Sequence, residues 1–147
     1  MKRILIPLCL VVGSHVASGQ RSYQFEAPDR LFIEGKELFS LKNYPGCIDK
    51  LEAYKQHAKD ADLIQEADYM IVYAAYEQGR PNADELLKDY LEDYPASRHS
   101  DEVNFLIGSI HFERGEYQKA IFWFNESDID MLSPEQQEAY SFRLAYS

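Results

Sequence analysis

Cysteine is scarce in this chain. There are two in 147 residues, Cys9 and Cys47, and no Cys-x-x-Cys pair. A disulfide framework is excluded, so folding must rest on a packed apolar core. Positive charge is also short, at 15 Lys and Arg against 25 Asp and Glu, a formal net charge of −10. A chain this acidic repels phosphate backbones, which argues against nucleic acid as a partner and against a basic membrane-surface patch. Past the first nineteen residues no apolar run approaches transmembrane length. No segment alternates β-branched and polar residues, so no strand is predicted. Metal and phosphate motifs are missing too. There is no His-Glu-x-x-His, no calcium loop and no glycine-rich phosphate loop. The Asp84-Glu85, Asp89 and Glu92-Asp93 carboxylates read as solvated helix faces. With no nucleophile in a strand-turn-helix context either, the sequence offers no catalytic constellation and calls for no metal or cofactor.

The first nineteen residues carry an export pattern. Lys2 and Arg3 precede an apolar run, Ile4 to Val12, and then the small residues Ala17-Ser18-Gly19. Basic, apolar, then small is the order of a secretory signal peptide, with cleavage expected after Gly19. Cys9 as a lipid-anchored cysteine is the competing idea, but Ile6-Pro7-Leu8 before it is not the small pair such a site needs. Loss of the two cations Lys2 and Arg3 takes the charge from −10 to −12. Export then places the mature chain in the periplasm or associated with the envelope. Residues 20–28 read as a lead-in segment, and 29–147 as the folded domain.

Within that domain helical segments alternate with breaks. Helices are predicted near 29–42, 45–58, 62–78, 82–94, 100–114, 116–127 and 134–147. Gly79-Arg80-Pro81 stops one helix, since glycine accepts the left-handed cap and proline cannot continue the ladder. Asn82 is the expected cap of the next, with Glu85 in the reciprocal place. Tyr94-Pro95 ends that helix. Ser133-Pro134-Glu135-Gln136 combines a serine cap, a first-turn proline and a glutamine three residues on.

A period runs through these helices. Gly35, Val72, Gly108 and Ala145 lie 37, 36 and 37 residues apart. Phe32, Tyr69, Phe105 and Phe142 keep that spacing, as do Phe39, Tyr76 and Phe112. In the intervening helices Cys47, Ala83 and Ala120 recur, followed four residues later by Leu51, Leu87 and Phe124. Small residues at fixed slots let two helices of a hairpin approach closely, and large ones fill the space around them. One hairpin cannot bury its apolar faces alone, so stacking is required. Cys47 sits in a small-residue slot, which argues for an inert buried thiol.

This pattern resembles the tetratricopeptide repeat. The fullest unit is Phe105-Leu106-Ile107-Gly108, His111-Phe112, Gly115-Glu116-Tyr117-Gln118-Lys119-Ala120-Ile121 and Phe124. The first unit has Cys47 where the family favours alanine. The second has Val72 for glycine and lacks the turn tyrosine. Units of 36–37 residues, and the stretch Tyr94 to Glu102, are similar to the longer repeats of bacterial envelope proteins such as the outer-membrane assembly lipoprotein and the Tol-Pal coordinator. The resemblance implies an all-α, right-handed α-solenoid of about three and a half helical hairpins. On this reading the fourth is truncated inside its first helix, leaving Phe142, Leu144 and Tyr146 without their packing partner.

The resemblance also implies a function. The family's concave groove is lined by first helices, which puts Phe32, Lys36, Phe39, Tyr69, Tyr73, Tyr76, Phe105, Ser109 and Phe112 forward as partner-binding residues. Aromatic rings there suit a peptide or protein partner. The competing account is that the same rings only pack hairpin on hairpin. The expectation is a protein–protein interaction scaffold of the cell envelope rather than an enzyme. Two alternatives are a structural spacer for a domain beyond residue 147, and a glycan-binding protein using the same groove. The oligomeric state is not legible.

Overall fold

The computed structural model describes the backbone of residues 26–146 and the side chains of 29–146. The expected export signal, Cys9 and most of the lead-in segment lie outside the described residues. Those described are all helical, with no strand among them. They form α1 (Glu26–Ser40), α2 (Tyr44–Lys55), α3 (Ala61–Glu77), α4 (Ala83–Asp93), α5 (Ser100–Glu113), α6 (Tyr117–Asn125) and α7 (Pro134–Tyr146). A short 3-10 turn, Ile129–Met131, precedes α7 and was not anticipated. The pairs α1–α2, α3–α4 and α5–α6 pack as hairpins, each also touching the next, and α7 packs against α5 and α6. This is the arrangement of tetratricopeptide-like helical repeats. None of these helices is long and apolar enough to cross a membrane.

Close approach inside two hairpins depends on glycine. A Cβ on Gly35 would lie 2.6 Å from Leu51 Cδ2, and one on Gly108 would lie 2.5 Å from Phe124 Cδ1. The opposing small residues Cys47, Ala83 and Ala120 are buried with Leu51, Leu87 and Phe124. Burial pushes the Cys47 thiol up to about 11, which keeps it protonated and inert.

The hairpin turns share one device. In the second and third, Gly79 (φ 62°) and Gly115 (φ 73°) adopt the left-handed conformation. Two backbone hydrogen bonds close each helix end, Arg80 N–H to Ala75 O with Gly79 N–H to Tyr76 O, and Glu116 N–H to His111 O with Gly115 N–H to Phe112 O. The first hairpin forms the same pair, Asn43 N–H to Leu38 O and Lys42 N–H to Phe39 O. Its left-handed residue is Lys42 (φ 56°), in the slot of the two glycines. That is why α1 stops at Ser40 instead of running to 42. Its start is earlier than expected because Pro28 fits within the first turn, where no N–H is needed.

The two predicted caps behave differently. Ser133 Oγ accepts from Gln136 N–H (3.3 Å) while Ser133 N–H donates to Gln136 Oε1 (3.0 Å), a reciprocal capping box. Asn82 makes no side-chain cap bond. Its backbone lies at φ −100°, ψ 17°, within a turn closed by Ala83 N–H to Arg80 O, away from the extended conformation usual at a capping residue.

Candidate interaction surface

The first helices α1, α3 and α5 carry the nine residues expected to bind a partner, three on each. The structure sorts them by depth. Phe32, Tyr69 and Phe105 are core residues, each against a ring from its own hairpin's second helix: Tyr54 at 5.2 Å, Tyr90 at 6.2 Å and Phe124 at 5.9 Å between centroids. Ser109 is fully buried, and its hydroxyl donates to Phe105 O at 2.8 Å. Lys36 is exposed, while Phe39, Tyr73, Tyr76 and Phe112 are half-buried. Phe39 meets Tyr73 edge-on at 5.3 Å, and Tyr73 meets Tyr76 at 6.4 Å, giving a continuous aromatic strip from α1 onto α3.

Tyr73, Tyr76 and Phe105 converge on one cleft of about 370 Å³ running across α3, α5 and α7. Tyr44, Glu77, Glu102 and Arg143 complete much of its wall. Two of its carboxylates are held in place: Tyr44 Oη donates to Glu77 (3.2 Å), and Glu102 accepts from both Tyr69 Oη (2.5 Å) and Gln136 Nε2 (2.6 Å). Burial, with these acids nearby, raises the Tyr69 and Tyr73 phenols well above their ordinary value, so both stay neutral donors.

Arg143 was missed by sequence reasoning. It bonds to Ser109 Oγ, lies 3.5 Å from Glu113 and stands over the rings of Phe105 (5.7 Å) and Phe112 (5.9 Å). A signal for it existed. Ile33, Met70, Leu106 and Arg143 share one register slot, and arginine alone there is charged.

Phe32 and Lys36 fall in a separate cavity of about 470 Å³, with Asp62, Glu66, Arg98 and His99. Its Glu66 carboxylate is engaged within the cavity. Glu66 accepts from Arg98 (2.5 Å) and lies 3.0 Å from His99 Nε2. Burial acts to raise this carboxyl, but the two hydrogen bonds outweigh it and hold it below its ordinary value. The His99 ring stacks on Tyr69 at 3.6 Å.

One acidic residue departs from the exposed reading. Asp84 is buried in the first turn of α4, accepting from Arg114 (3.0 Å) and Lys88 (3.3 Å). The Arg114 guanidinium, ahead of Lys88, holds its carboxyl down at about 2. It is a tie from the second hairpin to the end of α5. Among the described residues no cluster of His, Cys, Asp and Glu could hold a metal ion.

A family model described as YfiO, outer membrane lipoprotein, matches residues 26–136, which takes in α1 to α6 and the start of α7. Neither the curated proteins nor the solved structures contain a match.

Proposed function

The chain belongs to the YfiO family of outer membrane lipoproteins and is an envelope protein, and from this we propose that it is a protein-binding scaffold that docks a partner segment in the α3–α5–α7 cleft. The observation that carries the reading is the cleft itself. Half-buried Tyr73 and Tyr76 border it beside Arg143, and its Glu77 and Glu102 carboxylates are fixed by intramolecular hydrogen bonds. Rigid aromatic anchors beside an arginine are the composition of interface hot spots, and pre-ordered acids lose little entropy on binding. Phe39 and Phe112 flank the cleft as secondary contacts, and the buried Tyr69, Phe105 and Ser109 support its walls, while Phe32 and Lys36 belong to the separate cavity.

In this proposal the three hairpins and α7 form a right-handed solenoid whose first helices line the concave side. Residues 1–19 serve as export signal, 20–28 as lead-in and 29–147 as the repeat domain. Such a protein binds rather than catalyses.

The test compares envelope proteins retained by the full chain with those retained by a Tyr76→Ala variant and a Lys36→Glu variant, each with its helicity checked by circular dichroism. Loss of a specific protein with Tyr76→Ala, at unchanged helicity, supports the cleft. Equal retention by all three chains would show that binding lies elsewhere. N-terminal sequencing of the protein isolated from envelope is expected to begin at Gln20. A chain beginning at an acylated Cys9 would overturn the layout.

A further inference from the structure

Helices α3 and α5 end alike. Each closes on an aromatic residue and then a glutamate, Tyr76-Glu77 and Phe112-Glu113, which are register mates. In the third repeat this pair holds a cation. The Arg143 guanidinium lies 5.9 Å over the Phe112 ring and 3.5 Å from Glu113. In the second repeat the register place of Arg143 is taken by Leu106, which is buried and uncharged. Glu77 enters no ion pair among the described residues. Yet it sits at the negative end of the α3 dipole, and the last turn of α3 has no basic residue. Of the cations near it in chain and cleft, Arg80 donates to Gln78 (3.5 Å), and Arg143 bonds to Ser109 Oγ and to the Tyr76 hydroxyl. Lys42, on the cleft wall, is exposed. The second repeat thus has the ring and the acid of this arrangement without its cation.

The surroundings of Glu77 suit a positive group. Tyr44 Oη of α2 donates to Glu77 Oε2 (3.2 Å), which fixes the carboxylate and leaves Oε1 to accept from a second donor. The Tyr73 ring stands 6.4 Å from Tyr76, and both line the cleft with Tyr44 and Glu77. Burial first, and then the Glu77 charge, pushes the Tyr44 and Tyr73 phenols up, so an incoming cation meets neutral rings. The cleft wall carries Glu77, Glu102 and Glu135 against Lys42 and Arg143, and Arg143 is already matched by Glu113. Resting on the reading of this cleft as the docking groove, we infer that its Glu77 corner receives an arginine side chain of the docked protein segment, as Phe112 and Glu113 receive Arg143. Arginine fits better than lysine, because its planar guanidinium lies on a ring while donating to a carboxylate. The corner is built by α2 and α3, at the junction of the first two hairpins, with the third hairpin following.

The probes are four pools of short fluorescent peptides, randomised over uncharged residues around a fixed central arginine, lysine, citrulline or glutamate. They are titrated into the full chain and followed by anisotropy. The arginine pool is expected to bind about tenfold more tightly than the citrulline pool, which has the same shape without the charge, with lysine between them and glutamate weakest. Glu77→Gln keeps an acceptor for Tyr44, and circular dichroism checks its helicity. It should abolish the arginine preference and leave the citrulline pool unchanged, whereas Tyr76→Ala should weaken every pool. Binding that depends on Tyr76 but does not distinguish arginine from citrulline overturns the inference and leaves the cleft reading standing. An arginine preference that survives Glu77→Gln also overturns it, since the cation would then sit elsewhere. Binding indifferent to Tyr76→Ala overturns both readings. So does the absence of binding by any pool, the result if a segment of the chain itself held the corner.

Discussion

Lys42 sits where the other two hairpins use glycine, at a φ of 56° that L side chains adopt with strain. Lys42→Gly is expected to raise stability by about 0.5–1 kcal/mol by relieving that strain at a helix end. Gly115→Ala, which builds the same strain into the third hairpin, should lower it by a similar amount. Paired thermal melts of the two variants check the signs, and a fall for Lys42→Gly would show that its side chain makes a compensating contact. Asp84 makes a second residue-scale claim. Its carboxyl is drawn from 3.8 to about 2 by Arg114 and Lys88. A depressed pKa means the ionised form is favoured in the folded state, so its contribution is complete above pH 3.8. It is lost as pH falls towards 2. Asp84→Asn should cost about 1–2 kcal/mol at neutral pH, allowing for the partly exposed arginine. The wild-type and variant melting curves should converge on acidification through that window. A constant gap would show that the cost is steric and not ionic.

At the scale of elements, the helix ends test local chemistry against its setting. Ser133→Ala removes the hydroxyl half of the capping box, leaving the backbone N–H that donates to Gln136 Oε1, and should destabilise by about 1 kcal/mol, with the loss concentrated in α7. Asn82→Ala should be close to neutral, because Asn82 makes no side-chain cap bond. Equal losses in chemical denaturation would mean that Asn82 caps in solution. Helix positions, and the glycine and alanine slots of close approach, were legible because they follow from spacing alone. Gly108 against Phe124 is the clearest case, since only a missing Cβ lets that ring enter. The depth of the aromatic slots was not legible. Phe32 and Phe39 are seven residues apart on one helix, yet Tyr54 covers the first while the second reaches the surface. That choice is made by the partner helix, whose rotation no single-helix pattern contains. Arg143 was hidden for a similar reason, as its partners Ser109 and Glu113 come from the preceding repeat. Asp84 was hidden because its cation lies thirty residues away, at Arg114.

Across the whole molecule, each repeat is tied chiefly to its neighbours, so stability should be distributed in steps along the array. Glu102 is a joint between three of them. It stands on α5, accepts the buried Tyr69 hydroxyl of α3 through one oxygen and the Gln136 amide of α7 through the other. Helix α7 has no fully buried side chain of its own, so it depends on such ties and on the partly buried Tyr140 and Leu144. Removing the carboxylate leaves the Tyr69 hydroxyl buried without its acceptor, at a cost of about 1–3 kcal/mol, and frees Gln136. Hydrogen exchange on the intact chain is expected to show α7 as the least protected of the seven helices. In Glu102→Ala, amides of α7 and of the N-terminal half of α3 should exchange about tenfold faster, the equivalent of roughly 1.4 kcal/mol. Amides of α1 and α2 should hardly change, because the hydrogen bonds of Glu102 run to α3 and α7. A uniform acceleration over all helices would instead mean that the hairpins open together as one cooperative unit. The register repeat would then describe packing but not the way the molecule comes apart.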